Sequence, residues 1–128
     1  MFVALLRTTS GHYVIPKGHL QKGEDPKTAA IREVREELSL KDAPEIISFM
    51  GIDSYTFTLD DSGFVHHKNV HLYIFRTDKK VDIKPLENER FEAAEWLPFE
   101  EAVEKIYFDK ENLLKARQSF YYNKSIKN

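Results

Sequence analysis

A chain of 128 residues with 41% hydrophobic, 12% aromatic and 31% charged positions has the size and balance of one globular domain spanning residues 1–128. The absence of Cys excludes a disulfide framework, a thiolate zinc site and a cysteine nucleophile, and suits a reducing cytoplasm. No run approaches the roughly 18 apolar residues of a membrane span, and 19 Lys plus Arg against 21 Asp plus Glu give a formal charge of −2, so neither membrane nor nucleic acid is an expected partner.

In chain order, Phe2 to Leu6 and His12 to Ile15 read as two strands of a hairpin around the turn Thr8-Thr9-Ser10-Gly11. Pro16 to Glu24 has loop composition. Asp25-Pro26 then places an N-cap residue before Pro at the first helical position, and Ala30, Ile31, Val34 and Leu38 predict one apolar side of a helix ending near Ser39 to Asp42. Ile46 to Ile52, Tyr55 to Leu59 and Val70 to Phe75 are rich in β-branched and aromatic residues and predict strands, the last two separated by the turn cluster Asp60-Asp61-Ser62-Gly63. Phe91 to Leu97 predicts a further strand, Pro98 a helix to about Ile106, and Asp109 caps a last helix to about Tyr122. Strands and helices in this order predict an α/β/α sandwich with a mixed β-sheet.

The informative segment is Gly18 to Leu40, GHLQKGEDPKTAAIREVREELSL. On a helix Glu33, Glu36 and Glu37 stand at i, i+3 and i+4 and share one sector. Like charges at that spacing cost an isolated helix about 0.2–0.5 kcal/mol per pair, so local helix energetics do not explain the cluster. A hard divalent cation does, because Mg²⁺ and Mn²⁺ prefer oxygen donors and share their shell with substrate phosphates.

Gly18, five residues, Glu24, seven residues, Arg32-Glu33-Val34, one residue, Glu36-Glu37, one residue, a small residue and Leu40 together resemble the Nudix box. This is the signature of hydrolases that cut nucleoside diphosphates linked to another moiety. The one departure is Ser39, where the family has Gly, and it bears on helix termination rather than on chemistry.

The resemblance implies that Glu33, Glu36 and Glu37 ligate Mg²⁺, with Mn²⁺ as a substitute, and that the Lys17 carbonyl adds an oxygen donor. It makes Arg32 and Glu24 orienting partners, Gly18 and Gly23 structural glycines, and water attack on a pyrophosphate the reaction. A further carboxylate outside the box acts as base and ligand in some members. Here Glu89 is the first candidate and Glu92 the second, both ahead of Trp96.

Pro16-Lys17-Gly18-His19 looks most like the Nudix branch that hydrolyses diadenosine polyphosphates. Lys17 and His19, with Lys68 and Tyr73 of the segment Lys68-Asn69-Val70-His71-Leu72-Tyr73, are then the substrate-binding candidates. Lys68 and Tyr73 fall on opposite faces of a regular strand, so a bulge or twist must bring them together. His66, His67 and His71 do not converge at strand spacing and are read as solvent or substrate-edge histidines. The basic and aromatic residues of the last helix are read as a helix whose aromatic side packs on the sheet.

Two other functions stay open. One is a sanitising hydrolase of oxidised or noncanonical nucleoside triphosphates, the other a non-catalytic nucleotide-sensing module of the same fold. Family members usually have another strand before the segment equivalent to Phe2–Arg7. The sheet is then shortened, the start site is displaced, or a partner chain completes an exposed edge, as in a homodimer.

Overall fold

The computed structural model describes residues 1–18, 20–58, 65–87 and 90–127. The element order is β1 (Phe2–Thr8), β2 (Tyr13–Val14), α1 (Pro26–Glu37), β3 (Glu45–Thr58), β4 (Val65–Arg76), β5 (Phe91–Pro98), α2 (Phe99–Lys105) and α3 (Lys110–Lys127). Antiparallel pairing gives a three-stranded sheet in the order β2-β1-β5 and a long β3-β4 hairpin. A parallel bridge joins Tyr13 to Ile106.

Side-chain alternation along β1 creates two cores, one on each face. Leu5, with Val3 beside it, packs with Leu97, Phe99, Ala102, Ile106 and Leu113, which brings α2 and the start of α3 onto one face. Leu6, with Ala4, packs with Leu38, Phe91 and Val34, which brings α1 onto the other. Leu5 and Leu6 are fully buried. A register shift between Arg7 and Thr8 carries the β5 partner from Ala93 to Phe91. The skipped residue is Glu92, and the bulge lets Phe91 join Ala94 on the α1 face.

The ends of α1 follow from local chemistry. Asp25 is the N-cap, accepting from the Thr28 N–H at 2.8 Å, and Pro26 opens the helix. At the other end Leu40 N–H donates to the Arg35 carbonyl and Ser39 N–H to the Glu36 carbonyl, a Schellman arrangement with Ser39 at φ +54°. Ser39 therefore occupies the left-handed position that the family fills with Gly. The buried stripe matches the one expected in part: Leu38 is buried and Val34 packs with it, whereas Ala30 and Ile31 are only half-buried and Ala29 and Glu37 are buried instead.

Two other expectations are corrected. Ile46–Ile52 and Tyr55 onward form one continuous strand, β3, because the break comes as register shifts and not as a turn; Gly51, at φ +123°, follows one of them. The Asp60–Gly63 turn lies outside the described residues. In α3, consecutive residues point about 100° apart, so Phe120 is half-buried while Tyr121 and Tyr122 are exposed. On one side β5 pairs with β1 along the whole strand; on the other, β2 pairs at Leu6 and Arg7, so among the described residues Phe2 to Leu5 keeps an edge with no strand partner there.

Candidate metal and nucleotide site

The loop before α1 and the helix are tied together by one guanidinium. Arg32 Nε donates to Glu24 Oε2 at 2.8 Å and Nη2 to Glu24 Oε1 at 3.0 Å, a bidentate fork that planar Arg makes and Lys cannot. Glu24 also accepts the Gln21 N–H. These bonds hold the Glu24 carboxyl well below its usual range, at about 2. The remaining nitrogen, Nη1, reaches Glu33 Oε1 at 2.6 Å and Glu36 Oε2 at 3.4 Å. Arg32 thus orients two box carboxylates while its other edge clamps the loop.

Glu33, Glu36 and Glu37 spread over about 100° of helix, since i to i+3 is −60° and i to i+4 is +40°. That sector straddles the boundary between core and groove, so the three acids have different surroundings rather than one shared patch. The Glu36 side chain is 51% exposed and that of Glu33 19%, while Glu37 as a residue is only 5% exposed. Burial pushes the Glu37 carboxyl up to about 7, aided by the charges of Glu33 and Glu36; the N–H of Lys17, at 2.9 Å from Oε2, and the charge of Arg90 act in the opposite direction.

Gly18 is required by space. Its backbone has no left-handed φ, but a Cβ there would collide with the Glu33 carboxylate. Gly23 is the opposite case: open space surrounds it, and its φ of +79° is the constraint. The bare Gly18 backbone therefore lets the loop lie directly on a box acid. Lys17, beside it, lies against a second through its N–H.

The donor types fit a hard cation: three carboxylates on one helix beside the Lys17-Gly18 backbone, one of them buried among like charges that a divalent ion would offset. Among the described residues, no three His, Cys, Asp or Glu side chains meet around one point, because Arg32 holds Glu33 and Glu36 while Lys17 N–H holds Glu37. Lys17, Gly18 and Glu33 line one end of a cavity of about 790 Å³ whose other walls include Tyr73, Asp109 and Asn112.

The NUDIX domain family matches residues 3–117. This chain belongs to it. MutT4 of Mycobacterium tuberculosis is 33% identical over 102 residues, which are 78% of this Nudix chain; the match spans only 38% of that relative's length. The Nudix fold is also that of two solved structures. A C. elegans Ap4A hydrolase binary complex matches at TM-score 0.66 and 21% identity, over 94% of this chain and 86% of that one. The E. coli dihydroneopterin triphosphate pyrophosphohydrolase matches at TM-score 0.67 and 17% identity, over 92% and 82%.

The remaining candidates of this Nudix domain divide sharply. Glu89 and His19 lie outside the described residues, as do the side chains of His66, His67 and Lys68. Glu92 is paired with Arg7 at 2.8 Å in a cluster that includes Glu95 and Tyr13, and it does not line the cavity. Tyr73 lines the cavity with its ring 5.1 Å from Phe49. The register shifts of the hairpin skip β3 residues, so β4 pairs residue by residue from Lys68 to Tyr73 and contains no bulge of its own there. His71 also lines the cavity.

Sequence reasoning passed over Arg90, whose charge acts on Glu37, and Asn112. It assigned Asp109 to capping, whereas the Asp109 carboxylate meets Lys17 Nζ at 3.0 Å. An Arg beside the Glu89 candidate was a usable signal for the first. For Asn112 and Asp109 there was none, since their partners lie far away in the chain.

Proposed function

We propose that this chain hydrolyses a pyrophosphate bond in a nucleotide, using a divalent cation, Mg²⁺ first and Mn²⁺ as a substitute, held by Glu33, Glu36 and Glu37 with the Lys17 carbonyl. The observation that carries the reading is the seating of the Lys17-Gly18 backbone against two box carboxylates, with a buried Glu37 on one side and, on the other, a Glu33 that leaves no room for a Cβ at Gly18. An anionic substrate approaches three acids productively only through a cation, which when bound offsets phosphate charge and lowers the pKa of a coordinated water. Arg32 keeps Glu33 and Glu36 aimed, Glu24 keeps Arg32 in place, and the Lys17 ammonium faces the groove that would take the phosphates. Glu89 is the preferred proton acceptor. Glu92 is less favoured, because Arg7 occupies it.

The favoured substrate is a dinucleoside polyphosphate of the diadenosine tetraphosphate type. Supporting it are the Lys17-Gly18 loop, a cavity of about 790 Å³ extending from the box to Tyr73, and the structural likeness to an Ap4A hydrolase. A cavity of this size falls in the range that encloses sizeable ligands. The MutT4 relative favours a second substrate class, oxidised or noncanonical nucleoside triphosphates. A panel of both substrate classes incubated with Mg²⁺ or Mn²⁺, with products identified, tests the reading. Cleavage at a phosphoanhydride of diadenosine tetraphosphate supports it. Thermal stabilisation by nucleotides without phosphate release in either metal overturns it in favour of a sensing module.

A further inference from the structure

Asp109 precedes α3 with φ +70°, a left-handed conformation that Asp tolerates better than most residues but that still carries strain. Its backbone carbonyl accepts from the Leu113 N–H at 2.9 Å, so the main chain alone starts the helix. The carboxylate does something other than cap. Oδ2 meets Lys17 Nζ at 3.0 Å, and Oδ1 accepts from Asn112 Nδ2 at 3.1 Å. Asn112 spends its other N–H on Asp53 Oδ2 of β3, at 2.8 Å. A strained residue is thus anchored by α3 and β3 and directed at one lysine from the loop before the box.

We propose that Asp109 is a positioning residue for Lys17 in polyphosphate binding, an inference that rests on the nucleotide pyrophosphate reading above. Lys17 carries three N–H donors, and one directed at Asp109 leaves two for phosphate oxygens. Both side chains line the cavity, and the Lys17 side chain is 42% exposed against 18% for Asp109, so the cation is the more accessible member of the pair. A free lysine would lose side-chain freedom on binding a phosphate, and the ion pair has already removed much of it. The same Lys17 gives its N–H to Glu37, so the ammonium position is tied to the box. Asp109 acts only through Lys17 and touches no reacting atom.

The test is a double-mutant cycle on the full chain with inorganic tripolyphosphate and Mg²⁺ as the probe, read by titration calorimetry. Asp109→Asn keeps the shape, and Asn also tolerates φ above zero; Lys17→Met keeps the backbone groups of residue 17. Each single variant is expected to weaken binding by about three- to tenfold, the double variant to bind no more weakly than Lys17→Met alone, and the melting temperatures to stay close to wild type. With diadenosine tetraphosphate, Asp109→Asn is expected to raise KM by the same factor while kcat stays within about twofold. Additive losses in the double variant, unchanged or tighter binding by Asp109→Asn, or no tripolyphosphate binding by wild type overturns the proposal. If the cycle holds with tripolyphosphate but diadenosine tetraphosphate is not hydrolysed, the role of Asp109 stands and the dinucleotide reading falls.

Discussion

The two walls of the groove are built by different means. The box wall, residues 17–40, is nearly self-contained: Arg32 reaches Glu24, Glu33 and Glu36, Lys17 reaches Glu37, and both ends of α1 are capped from within the segment. The facing wall is assembled from distant pieces, Tyr73 from the hairpin and Asp109 and Asn112 from the start of α3, with Asp53 of the hairpin accepting a hydrogen bond from Asn112. The first wall carries the groups that would hold a cation. The second supplies positioning and shape. Chemistry that tolerates little displacement rests on short-range geometry, while the wall facing it depends on how the sheets and helices dock.

If that division holds, the largest losses come from the box. Glu36→Gln or Glu37→Gln is expected to lower turnover about a thousandfold or more with the fold retained by circular dichroism; turnover within tenfold of wild type would refute the metal assignment. Gly18→Ala is expected to cost about a hundredfold in kcat/KM, since the atoms a Cβ would meet belong to the flexible end of Glu33 and a displaced ligand carries that order of penalty. Its melting temperature should hardly move, because a side chain yields and not the backbone. Loss of folding instead of activity would show that Gly18 is structural.

Arg32→Lys is expected to lose about 10- to 100-fold in activity and to weaken metal activation, because an ammonium cannot fork onto Glu24 while also holding Glu33 and Glu36. The facing wall should respond less: Asp109→Asn shifts KM alone.

Two smaller effects sharpen the picture of the segment as a self-contained unit. Glu24 has a folded value of about 2 against an ordinary 4.5, so its contribution to stability is full above about pH 4.5 and fades as the pH falls toward 2. In Glu24→Gln, acid unfolding monitored by fluorescence should show a shallower loss over that window. Ser39→Gly is expected to raise stability by about 0.5–1 kcal/mol in urea unfolding, because residue 39 sits at φ +54°, while kcat stays unchanged.

These differences also explain what could be read in advance. Asp25-Pro26 marked the start of α1, and its end was expected near Ser39 to Asp42, where the Ser39 cap lies, because caps depend on neighbours within one turn. The apolar run Phe2 to Leu6 read as a strand for a similarly local reason, while its two buried faces came only with the docking of helices on both sides. Of the apolar side Ala30, Ile31, Val34 and Leu38, the last two pack on the core, while α1 buries Ala29 and Glu37 in place of the first two, because the sheet selects which sector is covered. Tyr121 and Tyr122 were expected on the sheet beside Phe120 and are exposed, since they lie about 100° and 200° around the helix from Phe120.

By itself, then, the sequence determined the caps of α1 and the spacing of its three acids, fixed by backbone geometry acting over a few residues, while the resemblance to the Nudix box pointed to its glycines and to the Arg32–Glu24 clamp. Only the tertiary structure decided that Glu37 is buried while Glu36 faces solvent, and that Asp109 turns from its own helix to Lys17, 92 positions earlier in the chain. Burial and long-range pairing depend on which faces the sheets and helices cover as they dock, and no local spacing encodes that.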